Sequence, residues 1–320
     1  MGQQEAMRKV KDPFNRDPTV TYGAAVEVAP GVRRVTCRNP SPMTFTGTQS
    51  YLVGEGELAL IDPGPADRAH LAAVEAALRP GERIAQIVIT HSHVDHSPGA
   101  RAVSEATGAP IHGFGPHGAG ISETMARLKR DGVAFGGGEG GDGDFHPAHV
   151  MDEGTVLGSA RGGWELTALH TPGHLSNHIC LALAGTGAVF TGDTVMGWAT
   201  TLVSPPEGDM AAFIGTLERL AERRGDRLYL PGHGHPVTDP AGMLAWQLAH
   251  RQERLQQILD GLAEGPADAT ALTIRAYTDV DPALLPAARR NVLAGLIGLM
   301  DQGRVRPRGA LSADAVFELA

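Results

Sequence analysis

Apolar and polar positions change period along the chain, and the changes divide it. Short apolar runs separated by glycine turns begin near Val26, and 32–36, 50–53 and 58–61 read as strands. The run Ile61-Asp62-Pro63-Gly64 ends a strand in a tight turn. Leu71, Val74, Ala77 and Leu78 then fall at helical spacing, predicting a helix from Pro65 or Ala66 to Leu78. After Gly81 the segment 84–90 holds the continuous apolar run Ile87-Val88-Ile89, which suits a strand buried on both faces. Residues 100–106 read as the next helix.

Residues 112–150 break every period. Glycines at 136–138, 141 and 143 interrupt them, with one short helix expected over 121–130. A long irregular insertion in a compact domain is a functional or a mobile loop. Strands resume at 164–169, 179–184 and 188–191. Asp209 is the expected N-cap of a helix carrying Met210, Phe213, Ile214, Leu217 and Leu220 on one face and closed by Gly225. A short strand over 228–230 precedes Pro231-Gly232-His233. Beyond about Ala241 strand signals nearly vanish. A leucine stripe over 244–262 marks a long helix, by packing or as the seam of a homodimer, and helices near 270–277 and 284–300 follow, with 303–309 a candidate β-wing. The organisation expected is a mobile N-terminal arm (1–20), a β-rich α/β body (21–240) and a small helical domain (241–320).

Composition narrows the class. Of 320 residues, 42% are hydrophobic and 20% charged, the make-up of a soluble globular protein. No stretch is expected to reach the ~20 apolar residues of a membrane span, and the polar start has no apolar core of a secretory signal. Cys37 and Cys180 are the only cysteines, which excludes a disulfide framework and makes a cytoplasmic address the expectation. The net charge of −9 disfavours general nucleic-acid binding.

The chemistry concentrates in Thr90-His91-Ser92-His93-Val94-Asp95-His96, three imidazoles and a carboxylate directly after a buried strand. These are borderline-metal ligands that suit zinc. With the strand ending at Thr90, His91 and His93 point the same way, while Asp95 and His96 aim at a second point, which implies two metals. Three more ligand-type residues, His170, Asp193 and His233, stand where apolar strands run into glycine turns. His112, His117, His146 and His149 read as polar loop residues or substrate contacts, and Met196 and Trp198 as packing or pocket lining.

These motifs, in this order, resemble the metallo-β-lactamase superfamily over residues 30–240. The resemblance implies a four-layer αββα sandwich, an α/β fold. It implies two zinc ions, with iron or manganese as alternatives: one held by His91, His93 and His170, the other by Asp95, His96 and His233, with Asp193 between them. Asp62 would hold the far nitrogen of a ligating imidazole, and His174 would help orient the site. Asp95 would also orient the nucleophile and shuttle its proton. Thr200-Thr201, the run Pro205-Pro206-Glu207-Gly208-Asp209-Met210 and His250-Arg251-Gln252-Glu253-Arg254 are similar to the β-lactamase-like protein 2 group, which adds a small winged-helix-like domain and includes single-strand-directed endoribonucleases. This chain departs from that group at Leu175-Ser176-Asn177-His178, where acidic residues are usual, and in its glycine-rich 112–150 segment.

The expected activity is hydrolysis of a small-molecule ester, thioester or lactone by water whose pKa two zinc ions lower toward ~7. The alternatives are a zinc phosphodiesterase or endoribonuclease acting on single-stranded RNA, and a glyoxalase II-like thioesterase. Residues 241–320 carry eight arginines against nine acids, so an RNA face there would have to be built locally from Arg289, Arg290, Arg304, Arg306 and Arg308.

Overall fold

A computed structural model of the chain describes residues 12–133, 135, 140–278 and 280–320. Residues 1–11 of the expected arm and the glycine run 136–138 lie outside the described residues. The described residues form a first, seven-stranded sheet in sequence order: β1 (Ala25–Ala29), β2 (Val32–Thr36), β3 (Gln49–Val53), β4 (Glu57–Ile61), β5 (Arg83–Val88), β6 (Ile111–Gly113) and β7 (His149–Val150). Pairing is antiparallel from β1 to β4 and parallel from β4 to β7. A second sheet of β8 (Val156–Ser159), β9 (Trp164–His170), β10 (Ile179–Leu183), β11 (Ala188–Gly192) and β12 (Leu228–Pro231) packs against it, in the order β12-β11-β10-β9-β8.

Strict alternation in β3 and β4 shows why the body is layered. Tyr51, Val53, Ala59 and Ile61 face the second sheet, where they meet Leu166, Ala168, Ile179, Leu181 and Phe190. Leu52, Leu58 and Leu60 point the other way, onto Val74 of α1 (Arg68–Ala76) and Val103 of α2 (Gly99–Thr107). A strand apolar at every position can only sit between two layers. The outer face of the second sheet, Cys180, Val189 and Tyr229, is covered by α4 (Met210–Glu222) and the start of α5 (Pro240–Ala263). Helices thus flank two facing sheets. Helix α3 (Glu123–Arg130) lies in the insertion. Both cysteines are buried and free.

Two helix ends differ from the sequence expectation. Helix α1 starts at Arg68 because Asp67 accepts the His70 amide at 2.7 Å, a side-chain cap that overrides the earlier Pro65 or Ala66 start. Asp209 caps α4 as expected, accepting from Ala211 N and Ala212 N, but the backbone leaves the helix at Arg223, ahead of Gly225. The arm also differs where it is described. Phe14 packs edge-on against Trp246 at 4.9 Å, and Asn15 N donates to Gly197 O, so residues 12–17 are docked on the body.

The C-terminal region consists of α5, α6 (Ala269–Ala276), α7 (Leu285–Asp301) and a three-stranded sheet of β13 (Ala267–Asp268), β14 (Val305–Pro307) and β15 (Val316–Leu319). The pairing of β14 with β15 makes the wing. One stretch, Pro282–Asp301, is 20 residues long with mean hydropathy 1.2, long and apolar enough to cross a bilayer by length and composition, contrary to the sequence reading. Its Val292, Leu293, Leu296, Ile297 and Leu299 are buried against α5 and α6, which makes it a core helix. Met125 and Leu128 of α3 join the same core, tying the insertion to the C-terminal helices.

Candidate metal centre

The strand-to-turn junctions place the functional side chains at one end of the sandwich. At the end of β4 the backbone turns through Asp62 at φ 47°, a left-handed conformation that Asp tolerates better than most residues. Its Oδ1 accepts from Thr90 N at 2.8 Å, and its Oδ2 accepts from Thr90 Oγ1 at 2.6 Å and from His96 Nδ1 at 2.9 Å. One carboxylate therefore fixes both the start and the end of the histidine-rich loop.

The imidazoles are anchored from behind. His91 Nδ1 lies 3.0 Å from Thr90 Oγ1, His233 Nδ1 lies 3.2 Å from Gly47 O, and His174 Nδ1 lies 2.8 Å from Leu202 O. With His96 on Asp62, four rings rest Nδ1 against an oxygen and turn Nε2 inward. His93 instead presents Nδ1, which stands 3.0 Å from both His91 Nε2 and His174 Nε2.

The inward atoms form overlapping nests. His91, His93 and His174 make one, His91, His96 and Asp193 a second, and Asp95, His96 and His233 a third, with donor atoms inside each group no more than 4.8 Å apart. Asp193 Oδ2 is 3.9 Å from His91 Nε2, 3.7 Å from His174 Nε2 and 3.2 Å from His233 Nε2, and its Oδ1 is 3.6 Å from His96 Nε2. Asp95 Oδ2 is 3.3 Å from His233 Nε2 and 3.5 Å from His96 Nε2, and it accepts from Thr48 Oγ1 at 3.0 Å. Ligands of a tetrahedral zinc stand ~3.3 Å from one another, the spacing of these atoms. The buried Asp193 Oδ1 has no hydrogen-bond partner, an orphan oxygen that a cation would satisfy. The donor set thus fits metal ions.

Electrostatics divides the cluster. Burial, with neighbouring imidazoles, holds His91 well below the usual histidine range and His93 down to about 3, so both keep a lone pair to donate. Burial also opposes charge on His96 and His233, but Asp95 and Asp193 outweigh it, pushing His96 well above its ordinary value and His233 up to about 10. Burial would raise Asp95 and Asp193, yet His96 and His233 hold both carboxyls well below the usual range.

The structure brings together His91, His93, Asp95, His96, Asp193 and His233, with Asp62 behind His96. It does not bring in His170. That residue ends β9 on the face of Leu166 and Ala168, where its ring stacks on Phe114 at 3.8 Å and its Nε2 lies 3.1 Å from Ser176 O. The chain then turns at Gly173, φ 140°, and delivers His174 to the position expected for His170. The signal was there: His174 and His233 each follow Pro-Gly directly. Gly173 and Gly232 are both required, since a Cβ on Gly173 would lie 2.3 Å from Phe213 Cα and one on Gly232 2.3 Å from Asp193 Oδ1.

His178 is wholly buried behind the cluster. Its Nε2 accepts from Asp193 N at 3.1 Å, and its Nδ1 lies 2.8 Å from Thr171 Oγ1. The insertion lies across the histidine loop. Val94 N donates to Gly140 O, Asp142 N to Ser92 O, and Ser97 Oγ to Asp142 Oδ2. His117 joins Ser92 to Glu207 at 3.0 and 3.1 Å, beside a small cavity lined by Ile121, Lys129, Leu175 and Ser176. The other loop histidines stand apart: His112 bonds Gln86 and stacks on His149, and His146 meets Asp144 O. Met196 is buried, and Trp198 stacks on Phe45 at 5.0 Å.

Comparison with known proteins agrees with this picture. The model of the metallo-beta-lactamase superfamily matches residues 43–233, and that of the beta-lactamase associated winged helix domain matches residues 269–312. The Beta-lactamase-like protein 2 homolog of Drosophila melanogaster is 29% identical over 310 residues, 92% of this chain and 95% of that one. The atrochrysone carboxyl ACP thioesterase of Aspergillus chevalieri is 30% identical over 273 residues, 80% of this chain and 77% of that one. In fold the chain is similar to a crystal structure of a beta-lactamase domain protein from Burkholderia ambifaria, with TM-score 0.76 at 22% identity over 96% of this chain and 97% of the other.

Proposed function

The chain belongs to the metallo-beta-lactamase superfamily, and from that premise we propose that it is a dinuclear, zinc-dependent hydrolase of an ester, thioester or lactone carbonyl. One observation carries the reading: Asp193 stands between two nests of inward-facing donors, His91, His93 and His174 on one side and Asp95, His96 and His233 on the other. Nitrogen-rich donors with few carboxylates favour zinc. When bound, a pair of such cations makes water nucleophilic near neutral pH and polarises a carbonyl oxygen.

The chain's own groups do the rest. Asp62, Thr90, Gly47 O and Leu202 O keep the imidazoles from rotating, so the donor set is organised before substrate arrives. Asp95, with a side chain 22% exposed against 9% for Asp193, is the more open carboxylate of the centre. Asp95 takes the proton released by the attacking water and returns it to the departing alkoxide or thiolate.

Two features favour a carbonyl substrate over RNA. A relative of similar sequence is named a thioesterase. Four of the five arginines that would have to face phosphate are engaged within the chain: Arg306 and Arg308 with Glu318, Arg289 with Asp314, and Arg290 with Ser204. The experiment is metal analysis of the purified protein, expected to find two zinc ions per chain, followed by parallel assays on thioesters, lactones, phosphodiesters and single-stranded RNA. Metal-dependent turnover confined to the carbonyl substrates is the expected result; salt-sensitive RNA cleavage as the main activity overturns the substrate assignment.

A further inference from the structure

Resting on the metal reading above, we infer that Arg251, Arg290 and Asn291 of the C-terminal helices are positioning residues of the metal centre, acting through the irregular loop 201–204. Each residue of that loop is held. On its inner side, Thr201 Oγ1 lies 2.7 Å from Asp193 O and 3.0 Å from Thr194 O, and Leu202 O accepts His174 Nδ1. On its outer side, Arg251 Nη2 donates to Thr201 O, Val203 N donates to Asn291 Oδ1 at 2.9 Å, and Arg290 Nη1 donates to Ser204 Oγ at 3.0 Å. Arg251 Nη1 also reaches Asn291 Oδ1 at 3.3 Å, which locks the clamp together.

Arg251 is the informative member. It is 2% exposed, and among the described residues no carboxylate pairs with it. Its acceptors are Thr201 O and Asn291 Oδ1, and its guanidinium lies over the Phe213 ring at 5.0 Å. Burying a cation without a counter-charge is costly, and an apolar residue would fill the space more cheaply. What the guanidinium supplies that an apolar residue cannot is a rigid donor fork aimed at the loop. The loop in turn sets two donors of the nest: His174 by its Nδ1, and Asp193 by its carbonyl. The shared carboxylate and a terminal imidazole are therefore placed from outside the sandwich, by side chains of α5 and α7.

The test uses the full chain, stripped of metal and titrated with Co(II) against a competing chelator, with the visible Co(II) spectrum and the unfolding midpoint of the metal-free protein read alongside. Asn291→Ala and Arg251→Lys are expected to weaken binding of one of the two cations roughly 10- to 100-fold and to alter its spectrum, the range typical when a ligand's hydrogen-bonded support is removed. Thr201→Val should do the same and Thr201→Ser should restore it, which keeps the test open should Arg251→Lys fail to fold. Phe317→Leu, in the C-terminal core away from the clamp, should lower the midpoint and leave both affinities alone. Folded clamp variants with wild-type affinity for both cations overturn the inference, as does a Phe317→Leu loss equal to theirs. A wild-type chain that takes up no cation overturns the metal reading itself.

Discussion

His96 Nδ1 lies 2.9 Å from Asp62 Oδ2, and Asp62 in turn accepts both the amide and the hydroxyl of Thr90, so a residue 34 positions upstream orients the imidazole that faces Asp95, Asp193 and His233. Asp62→Ala should weaken metal binding by roughly 10- to 100-fold in a chelator competition. It should also destabilise the metal-free protein by about 3 kcal/mol, because the buried Thr90 amide and hydroxyl and His96 Nδ1 lose their acceptor and alanine at φ 47° loses the local tolerance that Asp has.

His174 and His170 separate cleanly by mutation. His174→Ala should lower metal content toward one ion per chain and reduce turnover by at least about 100-fold, as loss of a ligand does more than loss of its support. His170→Ala removes a ring stacked on Phe114 and should keep full metal content, with a small stability loss of about 1 kcal/mol from the aromatic pair. Elemental analysis of both variants decides it, and equal loss of metal in the two would contradict the assignment.

Gly232 bears on the same centre through space alone. Its missing Cβ would sit 2.3 Å from Asp193 Oδ1 and 2.7 Å from His96 Cε1, both parts of the donor set. Gly232→Ala should therefore fold with reduced metal affinity, whereas Gly215→Ala, with open space around it inside α4, should be neutral or stabilising by up to about 1 kcal/mol. Melting curves with and without added zinc distinguish the two.

Acid should destabilise the metal-free protein through His70. This residue is 4% exposed, lies 2.8 Å from Ser50 Oγ, and is pushed down to about 4 by burial, with Asp67 opposing the shift. Between its ordinary value and about 4 the unfolded chain binds a proton that the fold refuses, so stability falls as pH drops through that window and levels off below it. The loss attributable to this group is at most about 3 kcal/mol. Urea midpoints of metal-stripped wild type and His70→Gln, measured from pH 7 to pH 4, should converge or cross as the pH falls; a constant difference would remove His70 as the cause.

Much of the site could be read from residue order because it is local. His91, His93, Asp95 and His96 lie within one strand-end loop, and Asp62, Asp193 and His233 each close an apolar strand. His170 has the ligand type and the strand-end position of a donor, but neither reports the turn that follows. The strand's alternation had already committed His170 to the side of Ala168, and only the bend at Gly173 carries the chain back to the centre. The clamp from Arg251 to Thr201 was beyond reach, since it spans 50 residues and depends on how α5 lies against the loop. The insertion resisted for a different reason. Backbone bonds from Val94 to Gly140 and from Asp142 to Ser92 carry no side-chain pattern that periodicity could detect.

Helix α5 is one rod of 24 residues, about 36 Å long, with its two ends in different interiors. Met243 and Leu244 are packed with Phe213 and Leu217, while Ile258, Leu259 and Leu262 are packed with Leu272 and Leu296. Severing the chain at residue 240 would strip the body of its covering layer over α4 and leave a sticky apolar face in water. The winged lobe should accordingly not behave as a detachable module: because α5 is packed into both cores, the two lobes are expected to melt in a single transition.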